Sequence, residues 1–226
     1  MTVCIVAVCG HWNWTVQVTD HMATFNSGGL SLSADSILFK ANSIDHFWNA
    51  MMAGDLARGH TIIDSIRSHS GNWNHQRSYE QVVETITRAY RETVKHEITN
   101  RVLSVYSLSM EDFTRDGLKM FGAEAFADIR YRIERAQADF DCELLVSGFE
   151  GVCQPRVFGV VNPGYGVNHD DLHFWAIGSG AAIALGSLAN RVQRQSMTVL
   201  ETIYNVLEAK FAAERSPGVG KETCSH

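Results

Sequence analysis

The first twenty residues, MTVCIVAVCGHWNWTVQVTD (1–20), decide how the chain begins to fold. Residues 3–9 form a continuous apolar run rich in β-branched side chains, which is typical of a strand buried on both faces. The HWN segment at 11–13 then makes a turn, and residues 14–19 predict a second strand that ends before Asp20. The pattern therefore predicts a hairpin whose first strand begins at the N-terminus itself.

Beyond this hairpin, blocks of strand pattern alternate with blocks of helix pattern. After a Gly-rich loop, two strands precede a helical block, three strands follow that block, and two helices come last. In chain order, we predict strands at 36–39 and 44–53, helices at 55–68, from 79 onward and at 109–138, strands at 142–149, 156–161 and 172–177, and helices at 180–193 and from 199 onward. Two sheets covered by two helical layers would account for this order, which favours a layered α+β fold.

Two capping boxes mark where helices begin. Ser78-Tyr-Glu-Gln81 and Thr198-Val-Leu-Glu201 each place a hydroxyl three residues before an amide or carboxylate side chain, so that the two can satisfy each other's backbone N–H groups. The Gly218-Val-Gly220 segment predicts the end of the last helix. The stripe predicted to face inward in that helix is Leu200, Ile203, Leu207 and Phe211.

The bulk composition excludes several classes of protein. The chain has 226 residues with 45% hydrophobic and 19% charged side chains, and no linker divides it, so we predict one domain over 1–226. A net charge of -6 without a basic stripe argues against nucleic-acid binding. Five irregularly spaced cysteines without a CxxC motif argue against a disulfide framework or structural zinc. We therefore expect a soluble cytoplasmic protein with no cofactor, no metal and no membrane or nucleic-acid partner.

Four segments stand out by their residue types and spacing: Ala176-Ile-Gly-Ser-Gly180 before a small-residue helix, Val16-Gln-Val-Thr-Asp20 with Thr24 four residues later, Ala53-Gly54-Asp55 with Lys40 fourteen residues before the glycine, and Thr2 behind Met1. Together they resemble the β-type subunits of proteasomes and their bacterial relatives, the proteasome-type proteases. Lys40 is also the only lysine before Lys95. The resemblance implies a four-layer αββα sandwich of the N-terminal nucleophile (Ntn) hydrolase type.

The resemblance also implies a role for each matching residue and a set of partners. Thr2 would be the nucleophile once Met1 is removed, and Gly54 would supply the N–H that stabilises the oxyanion. A homo-oligomeric ring acting on peptides or unfolded proteins would follow, and an ATP-dependent unfoldase is allowed as a partner. The supporting catalytic residues would be Asp20, Lys40, Ser179 and Glu214, the last in place of a family aspartate, with Thr24 as a substrate-binding residue.

These residue types suit acyl transfer to a threonine. A threonine hydroxyl is a weak nucleophile and needs a base nearby. A free α-amine has a reference pKa of about 8 and can take the proton, directly or through water. The Lys40 ammonium, held by Asp20, would favour loss of the hydroxyl proton. An oxyanion donor such as Gly54 N–H contributes about 3–4 kcal/mol in other acyl-transfer enzymes. The mechanism requires that Met1 be absent.

Taken singly, each residue has an ordinary explanation: Thr2 as a second residue, Asp20 as a turn residue, Lys40 as a surface lysine and Ser179 as an N-cap. Their joint order and spacing favour the catalytic interpretation. However, Pro217 stands where the family has a serine, and the chain ends where the family has further strands, so at least one strand is predicted to be missing. Two alternatives therefore stay open: a catalytically inactive proteasome-like assembly or binding subunit, and an Ntn amidase acting on a small amide.

Overall fold

The structure is a computed structural model that describes residues 2–11, 13–21, 23–27, 30–34, 40–70, 78–151 and 154–225. In this part of the chain the strands are β1 (Cys4–Cys9), β2 (Trp14–Asp20), β3 (Ala23–Ser27), β4 (Leu30–Ala34), β5 (Ala41–Ser43), β6 (Trp48–Gly54), β7 (Cys142–Glu150), β8 (Gln154–Val161), β9 (Tyr165–Asn168), β10 (Phe174–Ile177) and β11 (Thr223–Ser225). The α-helices are α1 (Leu56–Ser70), α2 (Tyr79–Ile98), α3 (Met110–Ala138), α4 (Ala181–Asn190) and α5 (Val199–Ala213).

Two antiparallel sheets form the centre of the fold. The first has the strand order β10-β1-β2-β11, and the second has the order β5-β6-β7-β8-β9. The predicted opening hairpin is confirmed: β1 and β2 pair with Cys4 opposite Thr19 and Cys9 opposite Trp14. A separate hairpin, β3-β4, follows β2 and was not predicted.

Three apolar layers hold the sheets and helices together. Between the two sheets, Cys4, Val6 and Val8 of β1 meet residues of β6, β7 and β8. The alternate β1 residues face α4 and α5, which cover the first sheet. Helices α1 and α2 cover the second sheet. The order helix, sheet, sheet, helix confirms the predicted αββα sandwich, and it explains why β1 is apolar at every position, since both of its faces are buried.

Several predicted boundaries shift for local reasons. The strand predicted at 44–53 begins at Trp48, because the Asp45 carboxylate accepts bonds from Phe47 N (2.6 Å) and Trp48 N (2.8 Å) and closes a turn. The helix predicted at 109–138 bends sharply at Gly122, whose φ of 73° is not helical. The strand predicted at 36–39 lies outside the described residues. That the whole chain is one domain stays a prediction.

The predicted inward face of the last helix is wrong at two of its four positions, whereas Ile203 and Leu207 pack against the core as predicted. Leu200 is 77% exposed and Phe211 is 54% exposed. Because α5 packs closely against β1 and β2, its buried side carries small and polar residues rather than the bulkiest apolar ones. The buried residues of α5 are Thr202, Asn205, Val206, Ala209, Lys210 and Ala213.

The chain also forms a strand after its last helix. Residues of β11 pair with β2, with Thr223 opposite Asp20 and Ser225 opposite Val18. One strand, β11, thus follows α5 and extends the first sheet beyond β2 at its Asp20 end, whereas the absence of a further family strand stays a prediction.

Candidate active site

Thr2 lies directly before β1, at the edge where β2 ends and α4 begins. Its backbone N donates to Ser179 Oγ at 3.2 Å, and its carbonyl oxygen accepts from Gly180 N at 3.2 Å and from Ser179 Oγ at 3.4 Å. The β1-β10 register, with Cys4 opposite Ile177, brings the AIGSG segment alongside the first residues of the chain. Thr2 is thus fixed on its backbone side by the turn that leads into α4.

The Thr2 hydroxyl lies within a buried ion pair. Lys40 Nζ donates to both Thr2 Oγ1 and Asp20 Oδ1, the latter at 2.8 Å, and Thr2 Oγ1 donates to Asp20 Oδ1. All three residues are buried: Thr2 is 2% exposed, Lys40 is 1% exposed and Asp20 is 0% exposed. Burying two charges is costly unless each is well paired and hydrogen-bonded, so this arrangement depends on the contacts around it.

The Asp20 carboxylate is satisfied by backbone groups from both ends of the chain. Val3 N donates to Oδ1 at 3.0 Å, and Gly220 N donates to Oδ2 at 2.8 Å. The hairpin register explains the first contact, because Asp20 N also donates to Val3 O at 3.2 Å. Lys40 lies just before β5, and its backbone is fixed by a hydrogen bond that Met52 N donates to the Lys40 carbonyl oxygen at 3.1 Å. Groups that lie just before β1 and just before β5, together with a backbone N–H beyond α5, therefore converge on one carboxylate.

Gly178 is required by the close approach of Thr2. It has a φ of 91°, and a Cβ there would overlap the Thr2 carbonyl oxygen and come within 2.7 Å of Thr2 Cγ2. Gly178 N donates to Glu143 Oε2 at 3.4 Å. The turn between β10 and α4 therefore needs glycine for both its conformation and its contact with the first residues.

Gly54 ends β6 at the same edge of the sandwich. It has a φ of 92°, and a Cβ there would lie 2.7 Å from Asp141 O. Two residues earlier in the strand, Met52 O accepts a hydrogen bond from Cys4 Sγ at 3.4 Å, which links β6 to β1 two residues after Thr2. The end of β6 is thereby held next to the beginning of β1.

The buried thiols of Cys4, Cys9 and Cys142 are poor candidates for the nucleophile. Burial raises the pKa of Cys4 to about 12, against a partly opposing effect of the Lys40 charge. Burial likewise raises the pKa of Cys142 to about 12 and raises that of Cys9. A nucleophilic cysteine needs its thiolate, and these groups stay protonated near neutral pH. Thr2, whose hydroxyl contacts an ammonium and a carboxylate, is the stronger candidate.

Not every predicted site residue is brought to Thr2. Thr2, Asp20, Lys40 and Ser179 are joined by the bonds described above. Glu214 is not part of this network: its carboxylate accepts from Lys210 Nζ at 2.6 Å, one turn away in the sequence. Thr24 lies on β3, but its side chain and Met1 fall outside the description, so their predicted roles stay predictions.

Sequence reasoning missed Gly220, which donates to Asp20 across 200 residues of chain. The pattern of Gly218-Val-Gly220 predicts only a helix end, and it is the one available sequence signal near this contact.

No group of three or more His, Cys, Asp or Glu within the described residues could hold a metal ion. In the same part of the chain, every helix is too short or too polar to cross a membrane.

Comparison with known proteins bears on the fold. No protein-family model matches the sequence, and no curated protein matches it. A solved structure of a (Gly-1) mutant of Anbu from Hyphomicrobium sp. strain MC1 is similar at a TM-score of 0.65 with 17% identity, over 100% of this chain and 81% of that one. Eukaryotic HslV from Trypanosoma brucei is similar at a TM-score of 0.56 with 13% identity, over 99% of this chain and 97% of that one. With its αββα layers, the chain has the fold of the proteasome-type Ntn hydrolases.

Proposed function

We propose that this protein is a threonine-type Ntn peptidase, with Thr2 as the nucleophile after removal of Met1. The observation that carries the proposal is the position of Thr2 Oγ1, which contacts both Lys40 Nζ and Asp20 Oδ1 in a buried cluster. Methionine in front of a small residue such as threonine is readily removed, which would leave Thr2 at the mature N-terminus. The fold supports this assignment, because Ntn hydrolases place their nucleophile at the start of a strand in the same sandwich.

The proposed reaction begins with proton transfer from the Thr2 hydroxyl. The free α-amine of Thr2, oriented by Ser179 Oγ, accepts that proton directly or through a water molecule. Thr2 Oγ1 forms a bond to the carbonyl carbon of the substrate, and the carbonyl π electrons move to its oxygen. Gly54 N–H stabilises the resulting oxyanion. The C–N bond then breaks, the amine leaves with the proton from the Thr2 ammonium, and water hydrolyses the acyl-enzyme by the reverse proton transfers.

Lys40 and Asp20 act on the hydroxyl by electrostatics and position. A positive charge next to Oγ1 stabilises the developing alkoxide, and in a buried site this interaction is weakly screened. Asp20 holds the ammonium with an ion pair of 2.8 Å. Neither residue needs to gain or lose a proton in the cycle.

The proposal extends to assembly and location. A ring of identical subunits with peptide or unfolded protein as substrate, and an ATP-dependent unfoldase as a partner, fits a peptidase of this fold. Within the described residues, Cys4, Cys9 and Cys142 are free thiols, which a reducing cytoplasm maintains. Cytoplasmic location is thus part of the same proposal.

The test is the intact mass of the purified protein before and after incubation with a peptide epoxyketone. This reagent needs the hydroxyl and the free amine of a single N-terminal residue. We expect a mass without Met1 and one covalent adduct, together with cleavage of fluorogenic peptides. Thr2→Ala should lose the adduct and the cleavage, whereas the matched control Thr61→Ala, on the exposed face of α1, should keep both.

A mass that retains Met1, or that never shifts, would contradict the proposal and favour an inactive assembly subunit. Turnover of a small amide without cleavage of any peptide would replace the peptidase by an amidase. Both outcomes leave the fold as it is, because the fold does not depend on the fate of Met1.

A further inference from the structure

Lys210 is a fully buried lysine that the proposed reaction does not use. It is 0% exposed and lies on the buried face of α5, which also carries Val206, Ala209 and Ala213. An ammonium in such a place costs several kcal/mol of desolvation unless its protons are hydrogen-bonded. An apolar side chain of similar length would fill the same space without that cost, so the contacts of the ammonium require an explanation.

The ammonium donates hydrogen bonds to one side chain and one backbone group, and it lies 5.3 Å from the centre of the Phe211 ring. Lys210 Nζ donates to Glu214 Oε1 at 2.6 Å and to the carbonyl oxygen of Lys221 at 2.6 Å. Glu214 is only partly buried, at 22% exposure, and can exchange this contact for water. The Lys221 carbonyl belongs to the segment that follows α5, which is defined here as the C-terminal segment, residues 218–225.

The C-terminal segment reaches the candidate active site one residue before Lys221. Gly220 N donates to Asp20 Oδ2 at 2.8 Å. Val219 packs into the core between the first sheet and α5, and Thr223 then pairs with Asp20 in the sheet. Asp20 is therefore held on one side by the N-terminal hairpin and on the other side by a segment that Lys210 fixes.

We propose that Lys210 is a positioning residue: its ammonium clamps the C-terminal segment through the Lys221 carbonyl, so that Gly220 N–H fixes the Asp20 carboxylate that holds Lys40. The catalytic consequence rests on the proposed function, whereas the clamp itself does not. The strand β11 is only three residues long, so its ladder with β2 supplies few backbone hydrogen bonds to hold the segment. The Lys210 contact adds a buried, charge-assisted bond, which is stronger than a bond between neutral groups.

The test compares Lys210→Met with Lys119→Met. Methionine keeps most of the lysine stem and removes the ammonium. Lys119 lies exposed on α3, so Lys119→Met makes the same chemical change on the surface. The first readout is hydrogen exchange of the C-terminal segment, and the second is the rate of epoxyketone labelling of Thr2, separated into kinact and KI.

For Lys210→Met we expect exchange of the C-terminal segment to become about tenfold faster or more, while β1 stays protected. We expect kinact to fall about 10- to 100-fold with KI unchanged, because the reacting groups lose position while the peptide still binds. If the variant were only folded to a smaller extent, the fraction of protein that is labelled would fall and kinact would stay unchanged. Lys210→Arg, which keeps a charge and N–H donors, should recover part of both effects.

Glu214→Gln separates the ion pair from the carbonyl contact. It leaves the Lys210 bond to Lys221 O in place, so the C-terminal segment should keep its protection. If Glu214→Gln loosens the segment as much as Lys210→Met does, or if Lys210→Met leaves its exchange unchanged, the clamp is refuted. The wild-type protein gives a test without any variant: a C-terminal segment that exchanges as fast as a free tail would also refute it.

The two proposals fail in different ways. If the wild-type protein never reacts with the epoxyketone, the proposed function fails and the exchange data still decide the clamp. If the wild-type protein reacts and Lys210→Met loosens the segment without changing kinact, the clamp exists but Lys210 has no positioning role, and that part of the inference is refuted.

Discussion

Replacing Lys40 by methionine should separate the catalytic role of the buried ion pair from its structural role. The substitution keeps a long unbranched side chain and removes the ammonium that contacts Thr2 Oγ1 and Asp20 Oδ1. Asp20, which is 0% exposed, then lacks the opposite charge that lies 2.8 Å away in the wild-type protein. Activity and stability should therefore both change.

The size of the stability loss follows from the remaining contacts of Asp20. Breaking a buried ion pair by removing one partner costs about 3–5 kcal/mol. Asp20 would still accept from Thr2 Oγ1, Val3 N and Gly220 N, so we expect a value at the lower end, about 3 kcal/mol. For a chain of this size that corresponds to a Tm lower by about 6–12 °C. Peptide cleavage should fall by about 10²- to 10³-fold, the usual cost of removing one group that stabilises developing charge by electrostatics.

The assay is urea unfolding followed by tryptophan fluorescence, alongside the rate of epoxyketone labelling. Lys119→Met is the control for a lysine-to-methionine change on the surface. The double variant Asp20→Asn/Lys40→Met leaves no unpaired charge, so its stability loss should be smaller than the sum of the two single losses. A Lys40→Met protein that loses less than about 1 kcal/mol, the value of an exposed pair, would refute the buried-pair reasoning. Labelling at the wild-type rate would refute the catalytic role.

Three further predictions concern neighbouring features. Gly178→Ala should abolish epoxyketone labelling, because its methyl group would overlap the Thr2 carbonyl. Gly186→Ala, with open space around it, should label normally and be more stable by about 0.5–1 kcal/mol, and equal labelling of the two variants would contradict the close-approach argument. Ser179→Ala should lower kinact more than it changes KI, since Ser179 orients the Thr2 amine, and an unchanged kinact would remove it from the site. Burial lowers the pKa of His169 from 6.5 to about 4, so the unfolded chain takes up its proton first and stability is lost as pH falls from about 6.5 towards 4. His169→Phe should flatten this dependence of the unfolding midpoint on pH, and an identical slope in the variant would contradict the assignment.

Much of the architecture could be predicted because its signals are local. The all-apolar run of β1, the capping boxes at Ser78 and Thr198, and the AIGSG segment before α4 each depend on residues close together in the chain. The structure bears out both capping boxes and the buried β1 strand. Predicted strand boundaries were wrong where a side-chain hydrogen bond formed a turn, as at Asp45, whose carboxylate closes the turn before β6.

The α5 helix shows why the inward face of a helix is harder to predict. Hydrophobic size selected Leu200 and Phe211, yet both are largely exposed. A helix that lies close to a sheet needs small side chains at the contact, and this requirement comes from the partner surface rather than from the helix sequence. The same helix buries Lys210, which no hydrophobic scale would place inside.

By itself, the sequence determined the alternation of strand blocks with helix blocks, the resemblance that singled out Thr2, Asp20, Lys40 and Ser179, and the requirement that Met1 be removed if Thr2 is the nucleophile. Only the tertiary structure decided which groups complete the Asp20 site: Gly220 contacts it across 200 residues, while Glu214 turns to Lys210 instead. The physical reason is that periodicity and capping report contacts within a few residues of each other. A carboxylate buried between the two ends of the chain is satisfied by whichever backbone N–H the fold brings to it.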